Sequence, residues 1–340
     1  MKKLSFILPV YNVEAFLEKC IRSIRDRDMP YEEYEIIVVN DGSLDNSEDL
    51  VRELQKTIPN ILLINQENAG VSAARNRGIE KASGEYIVFI DPDDYVNQNL
   101  LERLFDRAKK DDLDILLCGR SIVKPTGEII HKVGYEKLEN RILDGIEAFY
   151  EKDKPYAVFD TCWGRLYKRE LVIKHKINFP EGVIHLEDGV FVRKIFTLAH
   201  RVGFENCDFY QAFQRPGSAS RSDIGKSLKA AMGDIKSAKD LLDFKKSHNL
   251  HSKQIGILNL GIIKYTLLPL MRAISAKNLK SLLFYNRNLE EEGLIPLKTE
   301  NVQKGIYLDL ARAYNRSLWV FVIYFITKKK IQRFRSSQLN

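Results

Sequence analysis

Residues 85–94 have the sequence EYIVFIDPDD, in which a run of apolar residues ends in three aspartates around one proline. An uninterrupted run of this kind is typical of a strand buried on both faces of a parallel sheet. Pro92 favours an extended conformation at Asp91, which turns Asp91 and Asp93 to the same side of the chain. Because neighbouring carboxylates repel each other, this arrangement predicts a site for a cation with oxygen ligands, Mn²⁺ or Mg²⁺. The alternative is a solvated turn whose last residue, Asp94, caps the next helix.

The same alternation of apolar runs and helical spacing extends on both sides of this stretch. Strands joined by helices require right-handed crossovers, which place helices on both faces of the sheet. The N-terminal part is therefore predicted to be an α/β domain. Its predicted strands cover residues 4–10, 35–40, 61–65, 85–90 and 114–118. Its predicted helices cover residues 13–24, 45–56, 72–81 and 99–110.

The rest of the chain carries weaker signals. Residues 122–132 predict a hairpin that turns at 125–127, and residues 187–199 have a helical pattern. From residue 226 onward, strand signals are scarce and helical spacing recurs, which predicts an all-helical appendage. We therefore divide the chain into an α/β domain, 1–225, and a helical region, 226–340. Within the domain, 1–118 carries the strong signals and 119–225 the weaker ones.

Charge is distributed unevenly between these two parts. The 340 residues contain 53 Lys and Arg against 46 Asp and Glu, a formal charge of +7. The region from residue 226 onward has 21 basic and 8 acidic residues, a charge of +13, which leaves −6 for the first 225 residues. A basic region attached to an acidic domain favours contact with an anionic surface.

The apolar residues 318–326 precede Lys328, Lys329, Lys330, Arg333 and Arg335. This combination suits the interface of an anionic membrane, where each basic residue contributes ~1 kcal/mol. A helix of a buried bundle or a contact between copies in a homo-oligomer is the alternative. Basic patches also bind nucleic acids, but the sequence contains no groove-reading motif, so a nucleic-acid partner is not expected.

The cellular compartment of the protein is indicated by its cysteines and by the lengths of its apolar runs. The four cysteines form no CxxC pair, which favours a reducing compartment. The N-terminal apolar run is shorter than the core of a signal peptide, and residues 318–326 are about half of the ~20 residues that a spanning helix needs. We expect a cytoplasmic protein that lies peripherally on the inner face of the plasma membrane.

Polar residues follow the predicted strands at the edge where open α/β sheets bind ligands. Residues 9–12 (PVYN) follow the first strand, 40–45 (NDGSLD) the second, and 67–76 (ENAGVSAARN) lie after the third. Taken singly, each segment is also explained by turn and capping chemistry. Asp41 is equally consistent with a hydrogen bond to a ribose, and Arg75 with an ion pair or a diphosphate contact.

Together with residues 91–94, these segments resemble in order and spacing the signature of family-2 glycosyltransferases of the GT-A fold. The resemblance covers residues 3–118 strongly and extends weakly to about 222. It implies that 1–225 is the catalytic domain, with a donor half, 1–118, that binds the nucleotide sugar and an acceptor half, 119–225. It implies a Rossmann-like mixed sheet flanked by helices, an inverting reaction, and an Asp-X-Asp metal site in which Asp93 is the preferred direct ligand of Mn²⁺ or Mg²⁺ and Asp91 lies beside it. The nucleotide-sugar contacts that it implies are Pro9, Tyr11, Asn12, Glu14, Asp41, Asn68, Arg75, Asp91, Pro92 and Asp93.

A base must take the proton of the acceptor hydroxyl during an in-line attack. Residues 187–191 (EDGVF) resemble the Glu-Asp pair that many family members place before a helix. The resemblance implies that Asp188 is the base and Glu187 its support. Acidic residues also favour helix N-termini for electrostatic reasons, which is the structural alternative.

Five further residues resemble acceptor or diphosphate contacts less closely. Trp163 would stack on an acceptor sugar, although a core tryptophan explains it equally well. His185 lies near the Glu-Asp pair and would touch metal or substrate, whereas a lone histidine is usually structural. Arg215, Ser218 and Arg221 resemble a loop that closes over the diphosphate, with a surface loop as the alternative.

The sequence therefore predicts a metal-dependent, inverting hexosyl- or N-acetylhexosaminyl-transferase. It would move a monosaccharide from a UDP-sugar to a glycan or lipid-linked acceptor in surface polysaccharide synthesis. A nucleotidyltransferase would need a Gly-rich phosphate loop that residues 9–12 do not provide. A catalytically inactive, membrane-associated protein that binds sugar nucleotides or acts as a scaffold is the other alternative.

Overall fold

The computed structural model describes residues 2–25, 28–151, 160–214 and 227–337, with side chains in the last helix described to residue 331. The chain divides into two compact units, Met1–Ser222 and Asp223–Asn340. The first unit is an α/β domain, and the described residues of the second unit form helices and their connections.

One mixed ten-stranded sheet forms the centre of the first unit. Its path is β3-β2-β1-β4-β9-β6-β10-β5, with β7 beside β6 and β8 beside β10. The first four strands pair in parallel, whereas β9 lies antiparallel between β4 and β6. The strands are β1 (Leu4–Val10), β2 (Tyr34–Asn40), β3 (Ile61–Asn65), β4 (Tyr86–Phe89), β5 (Tyr95–Val96), β6 (Ile115–Val123), β7 (Ile129–Val133), β8 (Ile142–Leu143), β9 (Arg165–Lys168) and β10 (Val202–Phe213).

Helices cover the sheet and bury the apolar positions that recur at helical spacing. In α1 these are Leu17, Cys20, Ile21 and Ile24. Gly78 lets α3 approach β1 closely, because a Cβ atom there would lie 2.3 Å from Ile7 Cγ2. The helices of this unit are α1 (Glu14–Ile24), α2 (Ser47–Gln55), α3 (Val71–Lys81), α4 (Leu101–Lys110), α5 (Gly145–Tyr150), α6 (Arg169–Lys174) and α7 (Glu187–Leu198), with a 3₁₀ turn at Tyr31–Glu33.

The structure confirms the predicted mixed sheet flanked by helices. The strands expected at 4–10 and 61–65 have those bounds, and the hairpin expected at 122–132 is the β6–β7 pair. The five strands expected at 4–10, 35–40, 61–65, 85–90 and 114–118 run in the same direction, and the unexpected strand β9 lies antiparallel between β4 and β6. The short strands β5, β8 and β9, the long strand β10, and the helices α5 and α6 were not predicted.

The second unit contains five helices among its described residues. Ser227 caps α8 by accepting a hydrogen bond from Ala230 N, and Asn278 caps α10 through Ser281 N. Asp234 on α8 is fully buried and pairs with Arg272 on α9. The helices are α8 (Leu228–Ser247), α9 (Ser252–Ser275), α10 (Leu279–Glu291), α11 (Ile306–Arg316) and α12 (Leu318–Ser337).

Candidate active site

A cavity of about 640 Å³ lies at the strand ends of the first unit. It is bordered by the segments that follow β1 and β4, by the first half of α3, and by the N-terminus of α7. The predicted site residues that line it are Pro9, Tyr11, Arg75, Asp91, Pro92, Asp93, Trp163, His185, Glu187 and Asp188. Ten predicted residues from five separate stretches of sequence thus surround one space.

Arg75 is the centre of an ion-pair cluster at this cavity and is only 3% exposed. Its Nη1 donates to Glu187 Oε1 at 2.9 Å and to Asp188 Oδ1 at 2.7 Å. Its Nη2 donates to Asp91 Oδ1 at 2.8 Å. The planar guanidinium therefore joins the end of β4 to the start of α7. Arg75 thus forms the ion pairs that the sequence left open, and its contact with a nucleotide sugar stays a prediction.

The carboxylates around Arg75 outnumber its single positive charge. Three of them pair directly with the guanidinium, and Asp93 lines the same cavity. Burial raises the pKa of Asp91 to about 6, with Arg75 opposing the shift and Asp188 and Asp93 adding to it. Burial also raises the pKa of Asp188, again opposed by Arg75. The local excess of negative charge favours a cation beside these carboxylates.

Asp91 and Asp93 fit a hard divalent cation only in part. Asp91 gives Oδ1 to Arg75, so Oδ2 is the atom that a cation would use. No group of three or more His, Cys, Asp or Glu side chains able to hold a metal occurs within the described ranges. Mg²⁺ commonly takes two carboxylate ligands from a protein, and phosphate oxygens and water fill its remaining coordination positions. The residues therefore fit a cation that binds together with a diphosphate.

Asp188 lies at the beginning of α7, where both of its oxygens are engaged. Oδ1 accepts from Arg75, and Oδ2 accepts from Cys162 N at 3.0 Å. Leu186, just before the helix, has a φ of 63°, which is uncommon for a residue with a branched side chain. The raised pKa of Asp188 makes it a better proton acceptor than an ordinary aspartate.

Four of the predicted nucleotide contacts, Asn12, Glu14, Asp41 and Asn68, are not among the side chains that line the cavity, and their contact with a nucleotide stays a prediction. Asp41 is 2% exposed, and its carboxylate accepts hydrogen bonds from Gln66 Nε2, Ala69 N and Gly70 N at 2.7–2.9 Å. The Asp41 carboxylate is therefore used to hold the loop after β3. Asn68 lies exposed on that loop.

Asn12 and Glu14 likewise connect loops. Asn12 Oδ1 accepts from Leu44 N at 2.7 Å, and the Glu14 carboxylate accepts from Asn46 N and Nδ2 at 3.1–3.2 Å. Both side chains are exposed and tie the segment after β1 to the segment after β2. Their position supports the cavity wall without forming its surface.

Tyr210, on β10, is a site residue that the sequence did not indicate. Its hydroxyl donates to Asp94 Oδ2 at 2.6 Å and accepts from Asp91 N at 3.2 Å. Its ring stacks on Trp163 with a centroid distance of 4.5 Å and an interplanar angle of 12°. Asp94 Oδ1 also accepts from Phe213 N, so Asp94 anchors β10 and does not cap the following helix.

Trp163 has a second neighbour, the cationic side chain of Arg120. The Arg120 guanidinium lies 4.8 Å from the Trp163 ring centroid, and Trp163 is half-buried while still lining the cavity. The ring is therefore held between contacts with Tyr210 and Arg120 and is part of the cavity lining. The predicted contacts Arg215, Ser218 and Arg221 lie outside the described residues.

Comparison with known proteins identifies the family of this chain. A family model described as "Glycosyl transferase family 2" matches residues 5–175, half of the chain. Glycosyltransferase GlyA of Streptococcus pneumoniae is 36% identical over 225 residues, which cover 64% of this chain and 32% of GlyA. A poly(ribitol-phosphate) beta-glucosyltransferase of Bacillus spizizenii is 31% identical over 218 residues, 63% of this chain and 33% of that protein. The chain thus spans about a third of these two relatives.

The fold has a match among solved structures. A crystal structure of S. aureus TarS 1–349 in complex with UDP-GlcNAc superimposes with a TM-score of 0.70 at 18% sequence identity. The superposition covers 96% of this chain and 92% of that one, which shows a shared architecture. On these grounds the chain belongs to glycosyl transferase family 2, and its first unit has the GT-A fold.

Proposed function

We propose that this protein transfers a monosaccharide from a UDP-sugar to an acceptor hydroxyl with inversion at the anomeric carbon. The observation that carries the proposal is the cavity in which one guanidinium, Arg75, faces the carboxylates of Asp91, Glu187 and Asp188. The membership of the chain in glycosyl transferase family 2, and the UDP-GlcNAc bound in the TarS structure, support a nucleotide-sugar donor.

We further propose that Asp91 and Asp93 hold Mn²⁺ or Mg²⁺ together with the donor diphosphate. When bound, the cation would offset the negative charge that grows on the leaving diphosphate. Pro92 stiffens the segment between the two ligands, because its ring fixes φ. Arg75 holds Asp91 at Oδ1, which orients its carboxylate toward the cavity.

In the proposed reaction the acceptor oxygen attacks the anomeric carbon as the bond from that carbon to UDP breaks. Asp188 takes the hydroxyl proton, and UDP leaves with the bonding electron pair. Inverting transfer needs the base on the face opposite the leaving group. Arg75 lies between the proposed base and the proposed metal ligand, so it holds the two functional groups at a fixed separation.

The acceptor class is proposed to be a surface glycan or a lipid-linked glycan. The printed name of the Bacillus relative, a poly(ribitol-phosphate) beta-glucosyltransferase, supports an acceptor that belongs to a cell-surface polymer. Trp163, held between contacts with Tyr210 and Arg120, offers an aromatic side chain in the cavity lining for a sugar ring. All four cysteines are unpaired, which supports a cytoplasmic site of action.

A donor screen tests the proposal. The protein is incubated with UDP-glucose, UDP-galactose, UDP-GlcNAc and GDP-mannose, with Mn²⁺, with Mg²⁺ or with a chelator, and released nucleotide is measured. We expect release of UDP from at least one UDP-sugar, dependent on the metal. UDP binding without release from any donor would favour an inactive sugar-nucleotide-binding protein, and no binding at all would contradict both readings.

A further inference from the structure

Helix α12 has one packed side and one exposed apolar side. Phe321 is fully buried, with its ring 5.7 Å from Tyr314 of α11 in an edge-to-face contact. At 100° per residue, the exposed residues from 319 to 331 fall within an arc of about 140° on the other side of the helix. The α12 apolar face consists of Trp319, Val320, Ile323 and Ile326, which are 55%, 40%, 66% and 41% exposed.

The burial of Phe321 fixes which side of α12 is presented outward. Large apolar side chains are usually buried, so several of them exposed on one helix face mark an interaction surface. Within the described part of the helix, the polar residues of the exposed arc are Thr327 and Lys330, both at the C-terminal end of the apolar face. The surface is therefore apolar along two turns and cationic where it ends.

The charge next to this face has one sign. Residues 317–340 contain five Lys and Arg and no Asp or Glu. Lys329 donates to Ser275 Oγ on α9 at 2.8 Å, which fixes the packed side of α12 against α9 and leaves the α12 apolar face outward. We propose that the α12 apolar face docks on the surface of an anionic lipid bilayer, with Lys330, at the end of that face, against the lipid headgroups.

The length of the apolar stretch indicates that α12 lies on the bilayer and does not cross it. Residues 318–326 would extend about 13 Å along a helix, less than half of the ~30 Å hydrocarbon core. Among the described helices, α9 (Ser252–Ser275) has the length and composition of a spanning segment, but 72% of that stretch is buried inside the protein. An interfacial helix with an apolar face beside clustered cations matches α12 better.

A second copy of this chain fits the same surface less well. In a two-fold contact the α12 apolar face would cover its copy, but residues 317–340 contain no Asp or Glu that could pair with the cations of that copy. An anionic bilayer offers hydrocarbon to the α12 apolar face and negative headgroups to the cations. Charge complementarity therefore selects the lipid surface.

The test is cosedimentation of the whole protein with vesicles. We expect it to sediment with vesicles of phosphatidylcholine and phosphatidylglycerol, and to remain in solution with phosphatidylcholine alone. Raising the salt concentration from about 0.1 M to about 1 M should release it, because the Debye length falls from about 10 Å to about 3 Å. Failure to bind anionic vesicles at low salt would overturn the proposal.

Two isoleucine variants make the test specific. Ile323→Glu places a charge in the middle of the α12 apolar face and should weaken partitioning at least about tenfold. Ile173→Glu is the matched control, because Ile173 is a helical isoleucine 46% exposed in the first unit, and it should bind vesicles like wild type. Equal binding by the Ile323→Glu variant would overturn the proposal.

Light scattering distinguishes lipid docking from self-association through the α12 apolar face. A dimer in solution that Ile323→Glu converts to a monomer would assign the α12 apolar face to self-association and overturn lipid docking. A monomer in both variants, with vesicle binding lost only by Ile323→Glu, supports lipid docking. UDP release from soluble donor is measured in parallel, so a failure of the transferase proposal is seen independently of the vesicle result.

Discussion

Replacing Arg75 by methionine would test whether the buried ion-pair cluster holds the two halves of the site together. The change keeps much of the side-chain volume and removes the charge that faces Asp91, Glu187 and Asp188 at 2.7–2.9 Å. Breaking a buried pair by removing one partner typically costs about 3–5 kcal/mol, because the remaining charges stay uncompensated. For a unit of this size that corresponds to a fall in Tm of roughly 6–20 °C.

The sign of the pH dependence distinguishes charge from packing. Without the guanidinium, the pKa values of Asp91 and Asp188, which burial already raises, should rise further because the opposing effect of Arg75 is lost. A carboxyl group with a raised folded-state pKa binds its proton more tightly in the folded state, so its ionisation lowers stability as pH increases. The destabilisation by Arg75→Met should therefore be larger at about pH 7.5 than at about pH 5.

Urea unfolding monitored by tryptophan fluorescence and circular dichroism at both pH values measures this effect. Arg77→Met is the matched control, because Arg77 lies on the same helix, is 45% exposed and pairs with Glu80 within that helix. An exposed pair of that kind contributes about 0.5 kcal/mol. Equal unfolding midpoints for Arg75→Met and wild type, or a loss of stability independent of pH, would refute the electrostatic account.

Four further substitutions test the side chains at the cavity and beside it. Asp93→Asn should abolish metal-dependent UDP release and weaken Mn²⁺ binding measured by calorimetry, and unchanged Mn²⁺ affinity would exclude it as a ligand. Asp188→Asn should lower the transfer rate by roughly 10²–10⁴ with little change in UDP affinity, whereas Glu187→Gln should cost less; the reverse order would make Glu187 the base. Tyr210→Phe leaves the buried Asp94 Oδ2 without its donor and should cost about 1–3 kcal/mol in urea unfolding; an unchanged unfolding midpoint would show that this hydrogen bond contributes little.

The strands of the N-terminal half could be predicted because burial on both faces leaves a direct trace in the sequence. All seven residues of β1 are buried, and every one of them is apolar, proline or a serine that binds Glu35. Long helices with regular apolar spacing, such as α1, could be predicted for the same reason. In these elements local pattern and tertiary burial agree.

Strands β9 and β10 carry no such trace. In β9 the charged residue Arg165 is only 2% exposed, and its guanidinium lies 5.8 Å from the Phe196 ring centroid. A charged residue at a buried position interrupts the apolar pattern by which a buried strand is predicted. In β10 the register against β6 shifts between Glu205 and Tyr210, which interrupts the alternation of inward and outward residues. Tyr210 could not be identified as a site residue because its strand could not.

The partners of the charged site residues could not be read from spacing. Arg75 is separated by more than a hundred residues from Glu187 and Asp188, and only the crossing of α3 and α7 over the sheet brings them together. For Asp41, a ribose hydroxyl and a backbone N–H are equivalent hydrogen-bond donors as far as sequence can show. The structure assigns that carboxylate to the backbone of the next loop.

The residues by which the four strand-end segments resemble the family signature also connect those segments to one another. Asn12 binds the loop after β2, Asp41 binds the loop after β3, and Arg75 binds the end of β4 through Asp91. These segments are thus connected in sequence by hydrogen bonds, which form a continuous series of contacts from the end of β1 to the end of β4. Because buried charged groups tolerate few partners, a motif whose residues satisfy one another this way permits little variation in type or spacing. This mutual dependence explains why the four segments are informative together, although each one alone is explained by an ordinary turn.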